Sequence, residues 1–213
     1  MRPEEIEAQS FEIIEQEAGA HGLAPRKWQV VRRMIHTSAD FDYLKTVRFH
    51  KEAIDAGLAS IKQGKTIFTD TNMARIGIRK NDLAAYGCEV RCLMSDPDVA
   101  RMAADTGSTR AKAAVDCAAR MMDGGIYVVG NAPTALLRLI ELIGRGRAAP
   151  ALVVGLPVGF VNAAESKAAL LETQIPYITN IGRKGGSNLA ASVVNALIIM
   201  AASNAGEADD EKN

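Results

Sequence analysis

Apolar positions in the first third of the chain recur at helical spacing. Ile6, Ile13 and Ile14 mark a first helix, and a second opens near Pro25 with Trp28, Val31, Met34 and Ile35 on one face. The second pattern runs out at about His36. A third stretch, from about Asp42 to Gln63, carries Val47, Ile54, Leu58 and Ile61 on one stripe and is expected to be a single helix that stops at Gly64.

Beyond Gly64 short apolar runs alternate with longer helical patterns. That rhythm predicts an α/β fold whose parallel sheet is covered by helices on both faces. Five strands are expected: Thr66–Thr69, Glu89–Leu93, Ile126–Val129, Ala151–Gly155 and Tyr177–Asn180. Each leads into a polar or glycine-rich turn, and in open α/β sheets ligands bind where such turns gather, outside the carboxyl ends of the strands. Asn131 is placed to cap a helix with Pro133 in its first turn, and Ser187 to cap one running through Leu189 to Met200. The segment from about Asn204 to Asn213 is small, acidic and aperiodic, so it reads as an unstructured tail behind a single domain over 1–203.

Composition narrows the function. The chain has 213 residues, 48% of them hydrophobic, enough for one sizeable core. Twenty-five basic residues balance twenty-five acidic ones, so no global field points to nucleic acid or an anionic membrane. Aromatics make up only 5%, which leaves few side chains for stacking nucleobases. No apolar run reaches the length of about eighteen residues that a membrane span requires. With an acidic, amphipathic opening at Met1–Glu5, the expectation is a soluble cytoplasmic protein. Cys88, Cys92 and Cys117 lack paired metal spacing and are expected to be reduced, buried small hydrophobes.

Familiar cofactor motifs fail on context. Gly144-Arg145-Gly146 follows a helix and precedes a strand, the reverse of a dinucleotide turn. Gly182–Ser187 lacks the Lys-Ser/Thr pair of a phosphate loop. Its amides, with Arg183 and Lys184 beside them, suit a carboxylate or phosphate, but a purely structural glycine turn accounts for it equally well. His21 and His50 have no neighbours at metal spacing. His36 stands at a helix C-terminus, with Arg33 three residues earlier on the same face. A helix C-terminus favours imidazolium and a nearby arginine opposes it, and the pattern alone fits a capping histidine better than a catalytic one. Arg110 sits in the first turn of a new helix, where a cation opposes the dipole. Either an anionic ligand or a tolerated surface arginine explains it.

Several segments taken together resemble the precorrin-8X methylmutase family, which includes cobalt-precorrin-8 methylmutases. They are Arg33-Met34-Ile35-His36, Gly107-Ser108-Thr109-Arg110, Gly130–Leu136, Gly155–Val161 continuing into Ala163–Lys167, and Gly182–Ser187. The resemblance implies a flavodoxin-like three-layer sandwich with a five-stranded parallel sheet and an N-terminal helical segment, assembled as a homodimer. It implies a tetrapyrrole (corrinoid) substrate and a methyl shift from C-11 to C-12, promoted by protonation from His36. It also implies Ser10, Arg33 and Arg110 as substrate-binding residues and no redox cofactor; because the three cysteines and three histidines show no ligand spacing and this chemistry needs only a proton, no protein metal site is expected. A carboxylate-rimmed macrocycle calls for an apolar cleft with arginines and helix N-termini around it. Two other readings are a noncatalytic tetrapyrrole carrier, which would need the arginines but not His36, and a nucleotide-dependent oxidoreductase, which the missing fingerprint disfavours. Whether the macrocycle carries cobalt is left open, with the wording of Thr69–Met73 and Ile181–Lys184 leaning to the cobalt form.

Overall fold

The computed structural model describes residues 2–210, the side chains at 3, 4 and 204–210 excepted. Of the tail expected to lack structure, 204–213, the backbone of 204–210 continues the last helix, and 211–213 lie outside the described residues. The first helix, α1 (Pro3–Ala18), closes its N-terminus by the Glu5 carboxylate accepting from the Arg2 N–H at 2.8 Å. Helix α2 (Pro25–Ser38) buries Trp28, Val31, Met34 and Ile35. It ends at Ala39, which adopts the left-handed conformation at φ 53° while its N–H donates to Ile35 O at 2.7 Å.

The stretch expected as one helix from Asp42 to Gln63 is not one. A single turn, α3 (Tyr43–Thr46), gives way to a strand, β1 (Val47–Phe49), and only then does α4 (Ala53–Lys62) begin. Val47 is buried, Arg48 exposed and Phe49 half-buried, which is strand alternation rather than a helical stripe. The physical cause is an open sheet edge, which β1 satisfies by pairing antiparallel with the last strand, Val47 opposite Asn180 and Phe49 opposite Ile178.

The chain continues through β2 (Ile67–Thr69), the short helices α5 (Asn72–Gly77) and α6 (Lys80–Leu83), a 3₁₀ turn at Ala84–Tyr86, and β3 (Val90–Arg91). Next come α7 (Pro97–Thr106), α8 (Arg110–Ala119), β4 (Ile126–Val129), α9 (Pro133–Gly144), β5 (Leu152–Gly155), α10 (Ala163–Leu171), β6 (Tyr177–Asn180) and α11 (Ser187–Asp210). All five expected strands form and run parallel, but the sheet is mixed and six-stranded, in the order β1-β6-β5-β4-β2-β3.

Alternation along the strands builds two cores. Ile67, Ile126, Val128, Leu152, Val154 and Ile178 face α2, α4 and α11, and the long helix α11 buries Leu189, Val193, Val194, Leu197 and Ile198 there. Phe68, Tyr127, Val129 and Val153 face the other way, onto α8, α9 and α10. Each such large apolar side chain contributes about 1.5–3 kcal/mol on burial. The chain reverses its winding between β2 and β4, so a crevice between their carboxyl ends is built into the topology.

Candidate functional site

His36 is exposed in the last turn of α2. Its ring meets Phe11 of α1 edge to face, centroids 5.0 Å apart and planes at 79°. The guanidinium groups of Arg32 and Arg33 also lie against Phe11, at 4.4 and 5.3 Å from the ring centre. Arg33 pairs with Glu7 of α1 at 3.1 Å, and Trp28 Nε1 donates to Glu15 at 2.8 Å. These contacts seat α1 on α2 and leave a cavity of about 390 Å³ between them, lined by Ser10, Ile13, Ile14, Glu17, His36 and Phe41 among others. Ser10 Oγ donates to Ile6 O at 2.7 Å, which leaves its lone pairs able to accept.

The segment after His36 is tied to the opposite end of the sequence. Lys184, in the β6–α11 loop, donates to Asp40 and Asp42 at 2.6 Å each, and the Asp40 side chain also accepts from the Asp42 N–H at 3.0 Å. The two carboxylates raise the Lys184 pKa. Burial pushes Asp40 up, but Lys184 and the Asp42 N–H outweigh it and hold the carboxyl below its usual range. Beneath them Tyr43 is buried, and that burial, with Asp40 nearby, pushes its phenol up to about 12. The main chain of Lys184 is held in turn: its carbonyl accepts from Lys167 Nζ at 2.6 Å and from Asn180 Nδ2 at 3.0 Å. Lys167 has no exposed surface and donates also to Asn180 Oδ1 at 3.2 Å, and burial pushes its ammonium down to about 8. The glycine turn at Gly182–Ser187 therefore offers Arg183, stacked 5.6 Å from the exposed Phe160 ring, while the charge of Lys184 is already met by carboxylates.

At the switch point between β2 and β4 the organising residue is Asp70. Its buried carboxylate accepts from the N–H groups of Gly130, Asn131 and Ala132 at 2.8, 2.9 and 2.8 Å. Asn131 is thus not the cap of α9; the cap position is Ala132 without a side-chain bond, and Asp70 supplies the acceptor from across the sheet. Gly130 is required here because a Cβ would stand 2.6 Å from Ser187 Cα. Ser187 Oγ lies 2.7 Å from Thr71 Oγ1, so the loops after β2, β4 and β6 meet at one point.

Ser10 and His36 are therefore brought to one cavity by α1 and α2, with Arg33 beside it against Phe11 and Glu7 rather than in its lining. Arg110 is not with them: it opens α8 on the opposite face of the sheet, exposed, next to Thr109, which caps the helix by accepting from Lys112 N at 3.2 Å and lies 3.4 Å from Thr134 at the start of α9. The sequence reading missed Asp70 and the Lys167–Lys184–Asp40 chain. A lone Asp directly after a buried strand, and a Lys within the apolar helix Ala163–Leu171, were the available signals.

The cysteines are free and half-buried rather than fully buried. Among the described residues no three His, Cys, Asp or Glu side chains gather as metal ligands, and no helix is long and apolar enough to cross a membrane. His21 stacks on Trp28 at 4.1 Å, and His50 Nδ1 accepts from the Glu52 N–H at 3.3 Å.

The model of the CbiC precorrin-8X methylmutase family matches residues 5–200. The cobalt-precorrin-8 methylmutase of Priestia megaterium is 45% identical over 201 residues, covering 94% of this chain and 89% of that protein. The precorrin-8X methylmutase of Pseudomonas aeruginosa is 38% identical, covering 90% of this chain and 93% of its own. The crystal structure of precorrin-8X methylmutase from Thermus thermophilus superposes with a TM-score of 0.88 at 48% identity, covering 94% of this chain and 97% of that one. A family match over most of the chain, relatives alike along nearly their whole length and a shared fold carry one conclusion: this chain belongs to the precorrin-8X methylmutase family of isomerases.

Proposed function

We propose that this chain moves a methyl group from C-11 to C-12 of precorrin-8X or its cobalt form, giving hydrogenobyrinate or cobyrinate in cobalamin biosynthesis. The observation that carries the proposal is the exposed His36 ring at a cavity walled by Ile13, Ile14 and Phe41 together with the polar Ser10 and Glu17, with Arg33 one turn earlier on the same helix. The His36 imidazolium donates its proton to the macrocycle, the protonated ring undergoes the 1,5-sigmatropic migration, and the product returns a proton to the imidazole. Atoms and charge balance without a redox partner, so no cofactor enters; where cobalt is present it arrives in the substrate. Ile13, Ile14 and Phe41 provide an apolar wall for one edge of the ring and the Ser10 hydroxyl meets a polar substituent there, while the Arg33 guanidinium, beside the cavity and paired with Glu7, meets a carboxylate at its margin.

Arg110 belongs to the same task in this reading, as a carboxylate anchor at the helix start of α8. Its distance in the fold from His36 supports a homodimer in which each chain completes a neighbour's cleft, and the exposed Ile6 and Ile13 on α1 support the same. The parallel strand order β3-β2-β4-β5-β6 is the 2-1-3-4-5 winding of flavodoxin-like proteins with an antiparallel strand added, which supports that layering within one domain over 1–203. We place the enzyme in the cytoplasm. The test offers precorrin-8X and cobalt-precorrin-8 separately to the purified protein and follows the absorbance change on rearrangement. Turnover of neither macrocycle at saturating concentration rejects the reading.

A further inference from the structure

We propose that Lys184, with Lys167 behind it, is a positioning residue for His36: the pair ties the end of α2 to the loop at the carboxyl end of β6 and so holds the proton donor in place over the substrate. The inference rests on His36 being the donor.

The tie is built in series. Lys167 reaches from α10 through the interior to the carbonyl of Lys184 at 2.6 Å, and Asn180 secures the same carbonyl at 3.0 Å. From that fixed main chain the Lys184 side chain extends to Asp40 and Asp42, 144 and 142 residues earlier, at 2.6 Å each. Strand β1 brings the two segments together, because Val47 pairs with Asn180 and the Ile181 N–H donates to Thr46 O at 2.9 Å. Asp40 follows Ala39, and Ala39 holds a left-handed backbone that an alanine rarely adopts, so the turn needs an outside restraint. His36 stands one turn before it.

Stability alone is a poor reason for this arrangement. Lys184 is 49% exposed, where ion pairs contribute little. Lys167 is fully buried with two neutral oxygens as acceptors, an expensive way to join a helix to a loop. What the two lysines accomplish together is geometric: the helix end bearing His36 is referenced to the loops where an α/β sheet holds its ligand. A general acid displaced by an ångström loses rate without losing substrate affinity.

The test compares Lys184→Met and Lys184→Arg with the wild-type chain. Turnover of the preferred macrocycle and product affinity are measured together with the ¹H–¹³C resonance of the His36 Cε1–H, assigned by its loss in His36→Gln. Lys184→Met is expected to lower kcat by roughly 10- to 100-fold, the cost of a misplaced catalytic group, with KM and product Kd within about threefold. Its His36 resonance should broaden or double, and Lys184→Arg should restore both readouts. Should Lys184→Met fail to fold, Asp40→Asn/Asp42→Asn cuts the same tie from the other side and is held to the same outcomes. Unaltered turnover, a fall in kcat with an unchanged resonance, or an arginine variant as impaired as the methionine one each overturns the proposal. If the wild-type protein converts neither macrocycle, the donor role of His36 is lost, and the resonance still decides whether the tie fixes the ring.

Discussion

The rings of Phe11 and His36 meet nearly at right angles with their centroids 5.0 Å apart, so the first helix packs against the side chain on which the proposed chemistry depends. Phe11→Ala should therefore lower stability by about 1–3 kcal/mol, the loss of a half-buried aromatic with its cation–π contacts. It should lower kcat as well, because the imidazole gains freedom to rotate away. Urea unfolding and steady-state kinetics check both, and a variant with reduced stability but full kcat would show that Phe11 only packs.

Donor and anchor should fail differently. His36→Ala is expected to bind macrocycle with near-native affinity and lose roughly 10²- to 10⁴-fold in turnover. Arg110→Ala should weaken binding by about 1.5–3 kcal/mol with a smaller effect on the bound-state rate. Normal turnover by His36→Ala at saturating substrate removes it as the acid.

Asp70→Asn removes one of the two oxygens that together take three backbone N–H bonds. The amide's NH₂ then faces a donor, so the variant should lose about 2–4 kcal/mol by denaturant melting. A loss below about 0.5 kcal/mol, the range of ordinary surface substitutions, would mean that the β4–α9 loop is held by something else.

For Lys167 the pH dependence has a definite sign. Burial sets its folded pKa at about 8 against the ordinary 10.5, so between those values the unfolded chain binds more protons and stability rises with pH. The side chain's contribution is complete above the ordinary lysine value and is lost as pH falls through about 8, a swing on the order of 3 kcal/mol. Lys167→Met should lack this slope. Thermal melts of the two proteins across that window should converge or cross, and parallel curves would rule out a titrating Lys167.

Light scattering should give a mass near twice 22.7 kDa at micromolar concentration. A monomer that still turns over would mean that one chain holds a complete site.

The five parallel strands were legible because strands buried on both faces are continuous apolar runs between glycine-rich turns, as in Ile126–Val129 and Leu152–Gly155. Strand β1 was not. Val47 and Ile54 are seven residues apart, a spacing that suits a helix, and three residues are too few for alternation to declare itself. The place of His36 at a helix C-terminus was legible because such an end is written locally in the residues around it, whereas its role as the acid came from the family resemblance alone. The Lys184 pairing joins residues more than 140 positions apart, and Asp70 reaches Gly130 only because the strand order sets β2 beside β4. Charge and spacing along the chain mark Asp70 and Lys167 as out of place but do not name the partners they reach.

The sheet ends at one margin in the three residues of β1 and at the other in the two of β3, each with an outward arginine, Arg48 and Arg91. Neither margin offers a neighbouring molecule enough free amides to add a strand, so sheet-to-sheet polymerisation has no template to grow from. Self-association is left to helical faces, which bury side chains at a definite register and then stop, and a crowded solution of this protein should stay clear where an open-edged sheet of the same size would cloud.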